Sequence, residues 1–113
     1  MDNLEHLSDR INKKDRIELV YGDLNDLSSL INAVNISKPD YVFHLGGQSY
    51  PQTSFIAPVE TLQTNIIGTT NLLEALKNSD YKNAKIHVCA SSEVFGRVPK
   101  EKLPIDEECS FHP

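Results

Sequence analysis

Tyr41-Val42-Phe43-His44-Leu45-Gly46-Gly47 is a short, nearly continuous apolar run that ends in two glycines. This is the pattern of a parallel strand buried on both faces and followed by a loop of small residues. Downstream, residues 51–57 form an irregular or short helical connector. A long helix is then expected from Pro58 to about Lys77, with Leu62, Ile66, Thr69, Leu72, Leu73 and Leu76 along one side. Residues 84–90 give another strand, and residues 91–113, with Gly96, Pro99, Pro104 and Pro113, form a loop over a surface. Upstream, residues 16–21 alternate and then turn apolar before Gly22-Asp23, which predicts a strand. Asp26 can cap a helix carrying Leu27, Leu30, Ile31 and Val34, and Lys38-Pro39-Asp40 stops it. The first dozen residues, with Leu4, Leu7 and Ile11 at helical spacing, predict a short amphipathic helix. Strands alternating with helical connectors define an α/β fold with a parallel sheet.

A chain of 113 residues supports one domain, and 39% apolar with 24% charged residues is ordinary globular composition. The net charge of −5, with 11 basic residues scattered among 16 acids, disfavours a nucleic-acid partner. No membrane span or export signal is visible, so a cytoplasmic location is the expectation. Cys89 and Cys109 lack a Cys-x-x-Cys spacing. Cys89 reads as a small buried hydrophobe. It can share a strand face with His87, but two ligands do not make a zinc site, and no metal is expected.

In an open parallel sheet, ligands gather at the carboxyl ends of the strands. Three segments follow strands: Gly22-Asp23-Leu24, Gly46-Gly47-Gln48-Ser49 and Ser91-Ser92-Glu93-Val94-Phe95-Gly96. Asp23 has two readings, an acceptor for an adenine amino group or an Asx-turn ahead of Asp26, and position alone favours the turn. Gly46-Gly47 permits close backbone approach to a ligand, and it equally makes a plain tight turn. In Ser91-Ser92-Glu93 a hydroxyl can polarise a carbonyl or alkoxide oxygen while a neighbouring carboxylate takes a proton. The bland alternative is a solvated strand end.

Taken together and in order, these segments resemble the extended short-chain dehydrogenase/reductase family of NAD-dependent epimerases and dehydratases, most closely GDP-mannose 4,6-dehydratases. The carriers are Asn3-Leu4-Glu5-His6-Leu7, Tyr21-Gly22-Asp23-Leu24-Asn25-Asp26, Phe43-His44-Leu45-Gly46-Gly47-Gln48-Ser49, Asn65-Ile66-Ile67-Gly68-Thr69 with Asn71-Leu72-Leu73-Glu74-Ala75, and Ala90-Ser91-Ser92-Glu93-Val94-Phe95-Gly96. The resemblance implies a partial NAD(P)-binding Rossmann-like domain over residues 1–113, missing the first two family strands. It implies NADP as cofactor, with NAD as the alternative, and a nucleotide-sugar substrate such as GDP-mannose. It also implies a homo-oligomer in the complete enzyme. Asp23 and Leu24 would flank the adenine, and Leu45, Gly46, Gly47 and Gln48 would line the ribose and pyrophosphate. Asn65 matches a bracing helix asparagine. Family members usually carry alanines where Gly46 and Gly47 stand.

Ser91 matches the residue that hydrogen-bonds the sugar C4 oxygen, and Glu93 the active-site glutamate that removes the C5 proton before water leaves C6. An epimerase or keto-sugar reductase of the same family, or a non-catalytic α/β binding module, are the alternatives. The family's glycine-rich fingerprint is expected before the first residue and its Tyr-x-x-x-Lys pair after Pro113, with neither expected within residues 1–113. The isolated chain is therefore expected to be inactive.

Overall fold

The computed structural model describes residues 2–13 and 16–113. Asp2–Leu7 is a 3-10 helix that runs into α1, Ser8–Asn12. Met1, part of the helix expected there, lies outside the described residues. The remaining main elements are α2 (Leu27–Ser37), β1 (Tyr41–His44), α3 (Pro51–Ile56), α4 (Pro58–Leu62), α5 (Gly68–Lys77) and β2 (Lys85–Val88). A π-helical turn, Gln63–Ile67, joins α4 to α5.

Local chemistry explains where the helices begin and end. Asp26 Oδ1 accepts the Ser28 N–H at 3.0 Å, a cap that contributes about 1 kcal/mol to α2. Lys38 closes that helix in the left-handed region at φ 49°, and Pro39 cannot extend it. Pro51 and Pro58 open α3 and α4, where the missing N–H removes no hydrogen bond. No described helix is long and apolar enough to cross a membrane.

β1 and β2 pair in parallel, with Tyr41 opposite Lys85 and His44 opposite Val88. The helical crossover between them is the βαβ unit expected from the sequence. Val42 and His44 point to one face of the sheet. There Leu30 and Val34 of α2 meet Ala75 and Leu76 of α5, and Leu24, Val42, Leu72 and Tyr81 pack around them.

Four expectations need correction. The β1 run is not buried on both faces, because Tyr41 and Phe43 lie on the uncovered side, with Phe43 69% exposed. Residues 16–21 form no strand. A strand is defined by its ladder, and the described sheet joins β1 and β2, while Tyr21 is 77% exposed. The long helix exists, but its apolar stripe is broken: Leu62 and Ile66 are exposed while Leu72 and Leu76 pack inward. The π turn adds a residue to one turn and rotates everything upstream around the axis, which a uniform 3.6 period cannot anticipate. Finally, Cys89 is exposed rather than buried, because the strand it follows is itself exposed at all four residues.

Gly68 of the long helix packs directly against Leu24. A Cβ there would stand 2.8 Å from the Leu24 Cβ, and a β carbon cannot swing aside as a side-chain tip can. Gly68→Ala is expected to destabilise the fold by about 1–3 kcal/mol, despite the better helix propensity of alanine. Urea denaturation measures this, and an unchanged or higher midpoint would contradict it.

Candidate functional site

A cleft of about 620 Å³ opens beyond the carboxyl ends of β1 and β2. Because the strands are parallel, their exits share one edge, and the loops after them face each other. Leu45, Gly46, Gly47 and Gln48 line one side, and Cys89, Ala90 and Ser91 the other.

The long helix forms the floor and holds the first loop. The Asn65 carboxamide makes two bonds to the backbone of Gln48: Oδ1 accepts the N–H at 2.7 Å, and Nδ2 donates to the C=O at 3.1 Å. This is the bracing implied for Asn65. The Gln48 side chain turns back onto Tyr50, with Nε2 donating to the Tyr50 carbonyl at 2.8 Å and Oε1 accepting the Tyr50 N–H. Gln48 is thus fixed through backbone and side chain together.

Neither Gly46 nor Gly47 has positive φ, so no backbone strain demands glycine at either position. A Cβ on Gly46 would lie 3.1 Å from Leu24 Cδ1, the movable end of a side chain. A Cβ on Gly47 would lie 3.1 Å from Asn65 Oδ1, which is anchored by its bond to Gln48. The glycines therefore let this loop pack closely on Leu24 and on the Asn65 carboxamide.

Asp23 Oδ1 accepts the Asn25 N–H at 2.9 Å, the Asx-turn that position favoured. Its backbone N–H donates to Ser29 Oγ at 2.8 Å, and Asn71 Nδ2 donates to the Leu24 carbonyl at 2.9 Å. Asp23 and Leu24 do not line the cleft themselves. Leu24 adjoins it through Gly46.

Ser91 opens a 3-10 turn, Ser92–Phe95, and its Oγ accepts the Glu93 N–H at 3.2 Å. The hydroxyl hydrogen is left for another acceptor. Glu93 is exposed on the turn, two residues past the cleft wall. Downstream, His112 N–H donates to the Val94 carbonyl at 3.0 Å, and the Phe95 and Phe111 rings meet edge to face at 5.5 Å. The chain end thus folds back over this turn.

The spacing Tyr-x-x-x-Lys does occur once, at Tyr81 and Lys85, which corrects the expectation that it is absent from residues 1–113. The two residues are not placed as a catalytic pair. Tyr81 packs against the core, and Lys85 begins β2 with Nζ 5.7 Å from the Tyr41 ring centre, at the end of the strands remote from the cleft. A turn and a strand also separate what a helix would align on one face.

Sequence reasoning missed His44 as a cleft-wall residue, and Thr69 as its partner. Thr69 falls on the apolar stripe expected along the long helix. Its spacing of four from Asn65 was the available signal.

A profile of the family described as GDP-mannose 4,6 dehydratase matches residues 1–113. The GDP-mannose 4,6 dehydratase of Drosophila melanogaster is 32% identical over 113 residues, covering 97% of this chain and 28% of that protein. The GDP-6-deoxy-D-mannose reductase of Pseudomonas aeruginosa is 44% identical over 75 residues, 66% of this chain and 24% of that protein. The solved structure of RMD from Pseudomonas aeruginosa complexed with NADPH superposes with a TM-score of 0.73 at 40% identity, covering 82% of this chain and 30% of that one. The chain thus spans less than a third of the length of these relatives.

Proposed function

The chain belongs to the GDP-mannose 4,6 dehydratase family, and from that premise we propose that it forms the carboxyl-edge cleft of an NADP-dependent nucleotide-sugar 4,6-dehydratase acting on a GDP-sugar such as GDP-mannose. The observation that carries this reading is the meeting of the Gly46–Gln48 loop and Ser91 across one cleft.

The residues present fit a dinucleotide. Gly46 and Gly47 carry no side chain that would screen the loop backbone from a ligand, and the Asn65 carboxamide bonds both backbone groups of Gln48. Asp23 retains acceptor capacity for an adenine amino group beyond the one oxygen engaged by Asn25, since a carboxylate offers about four lone-pair sites. Leu24, Leu45 and Gln48 complete the set that would hold the cofactor. Bound NADP supplies the hydride acceptor and donor. The protein's own part is to orient the sugar and move its protons. Ser91 Oγ, accepting from Glu93 N–H, has its hydrogen free for the sugar C4 oxygen. The Glu93 carboxylate takes the C5 proton and passes it to the C6 hydroxyl, which leaves as water while the C5–C6 double bond forms.

A chimera tests the proposal, with residues 1–113 replacing the matching segment of the Drosophila enzyme. It is expected to convert GDP-mannose to the 4-keto-6-deoxy sugar, whereas the isolated 113-residue chain is expected to give no product. The isolated chain contains no Gly-x-x-Gly-x-x-Gly to cradle a pyrophosphate, and its one Tyr-x-x-x-Lys spacing lies at the wrong end of the strands. Turnover by the isolated chain would overturn the second expectation. A folded chimera that binds NADPH but only reduces a 4-keto sugar would favour a keto-sugar reductase, the reading supported by the 44% identity to the Pseudomonas reductase.

A further inference from the structure

His44 is 6% exposed, and its imidazole reaches from the sheet to the long helix. Nε2 lies 2.9 Å from Thr69 Oγ1, and that oxygen lies 2.7 Å from the carbonyl oxygen of Asn65. Two oxygens come that close only with a hydrogen between them, and the Thr69 hydroxyl carries the single one available. Nε2 must therefore bring its own proton. The geometry assigns the Nε2–H tautomer to neutral His44 and a directed chain, His44 to Thr69 to Asn65.

Asn65 belongs to the π turn, where the wider ring changes which amide each carbonyl meets. Thr69 and Thr70 both bond back to that turn, the latter with Oγ1 2.9 Å from the Ile66 carbonyl. Threonine bonds of this type reach four residues back and bend a helix locally. Asn65 holds Gln48 through its side chain, so the rotation of this turn decides whether the carboxamide meets the loop. We propose that His44 is a positioning residue for the Gly47–Gln48 loop, locking the π turn through Thr69 in the register that aims the Asn65 carboxamide at Gln48. That this loop faces a dinucleotide rests on the reading above. The coupling itself does not depend on it.

Nitrogen-15 spectra of the unmodified protein give the first test. Nε2 protonated and Nδ1 bare is the expected result, and the opposite tautomer overturns the proposal without any variant. Amide hydrogen exchange gives the second. Thr69→Val and His44→Asn, which remove the bond, are expected to lower protection of the Gln48 amide about tenfold, whereas Thr69→Ser and His44→Gln, which keep an oxygen or a donor in place, retain it. The Lys85 amide, bonded to the Asp40 carbonyl at the far end of the strands, should keep its protection in all four variants. Equal losses at Gln48 and Lys85 would mean that His44 only fills the core, and no loss at Gln48 would mean that the chain of bonds carries nothing; either overturns the proposal. NADPH titration of the same variants in the chimera separates the two claims. Lost Gln48 protection with unchanged NADPH affinity would keep the positioning role and remove the dinucleotide from this loop.

Discussion

Glu93→Gln in the active chimera is expected to lower kcat by about a hundredfold to ten-thousandfold, with substrate affinity and melting temperature nearly unchanged. Glutamine is close in size to glutamate, and Glu93 is exposed on its turn, so little packing is disturbed. The turn is held by the backbone N–H of Glu93 bonded to Ser91 Oγ, a contact that the substitution leaves in place. Only the capacity to accept a proton is removed. Solvent deuterium incorporation at C5 isolates that step: it should stop in the variant while the 4-keto sugar still forms. Normal exchange and normal dehydration would show that Glu93 is not the base, and the reductase or epimerase reading would become the better one.

Ser91→Ala is expected to cost about tenfold to a thousandfold in kcat, by removal of a hydrogen bond to the C4 oxygen that strengthens as charge develops there. The structure adds a second effect. The same oxygen caps the turn that carries Glu93, and losing such a cap costs about 1 kcal/mol of local stability. Ketone formation should therefore slow in Ser91→Ala, in contrast to Glu93→Gln, where it persists. Ser91→Thr keeps both the hydroxyl hydrogen and the acceptor, and should restore most of the rate. If Ser91→Ala forms ketone at the normal rate, the hydroxyl has no part in the hydride step and serves only as a cap.

Much of the candidate site was legible because its residues sit directly after strands. Leu45, Gly46, Gly47 and Gln48 follow β1, and Ser91 follows β2, so locating two apolar runs was enough to put them on one edge. The Asx-turn at Asp23 was legible for a similar reason, since it is closed by a neighbour two residues away. His44 and Thr69 were not legible in this way. They are 25 residues apart, and their bond depends on the rotation of a helix about its axis. Tyr81 and Lys85 make the complementary point: the right spacing on a turn and strand presents nothing that a catalytic pair on a helix would present.

The sequence by itself determined the α/β class, the order of elements from α2 to β2, the capped start of α2, and which loops leave the strands at a common edge. These follow from short-range patterns: apolar runs of strand length, Asp26 before a helix, prolines at helix starts. Tertiary structure alone decided three further things. Residues 16–21 are not a strand, because a strand exists only as part of a ladder and the described sheet is built from β1 and β2. One face of β1 is bare, because burial belongs to whatever packs on a strand and not to the strand's own composition. The aim of Asn65 at Gln48 was decided by the π turn, whose extra residue resets the helical phase and is held by hydrogen bonds from Thr69 and Thr70 and, through Thr69, from the opposite strand.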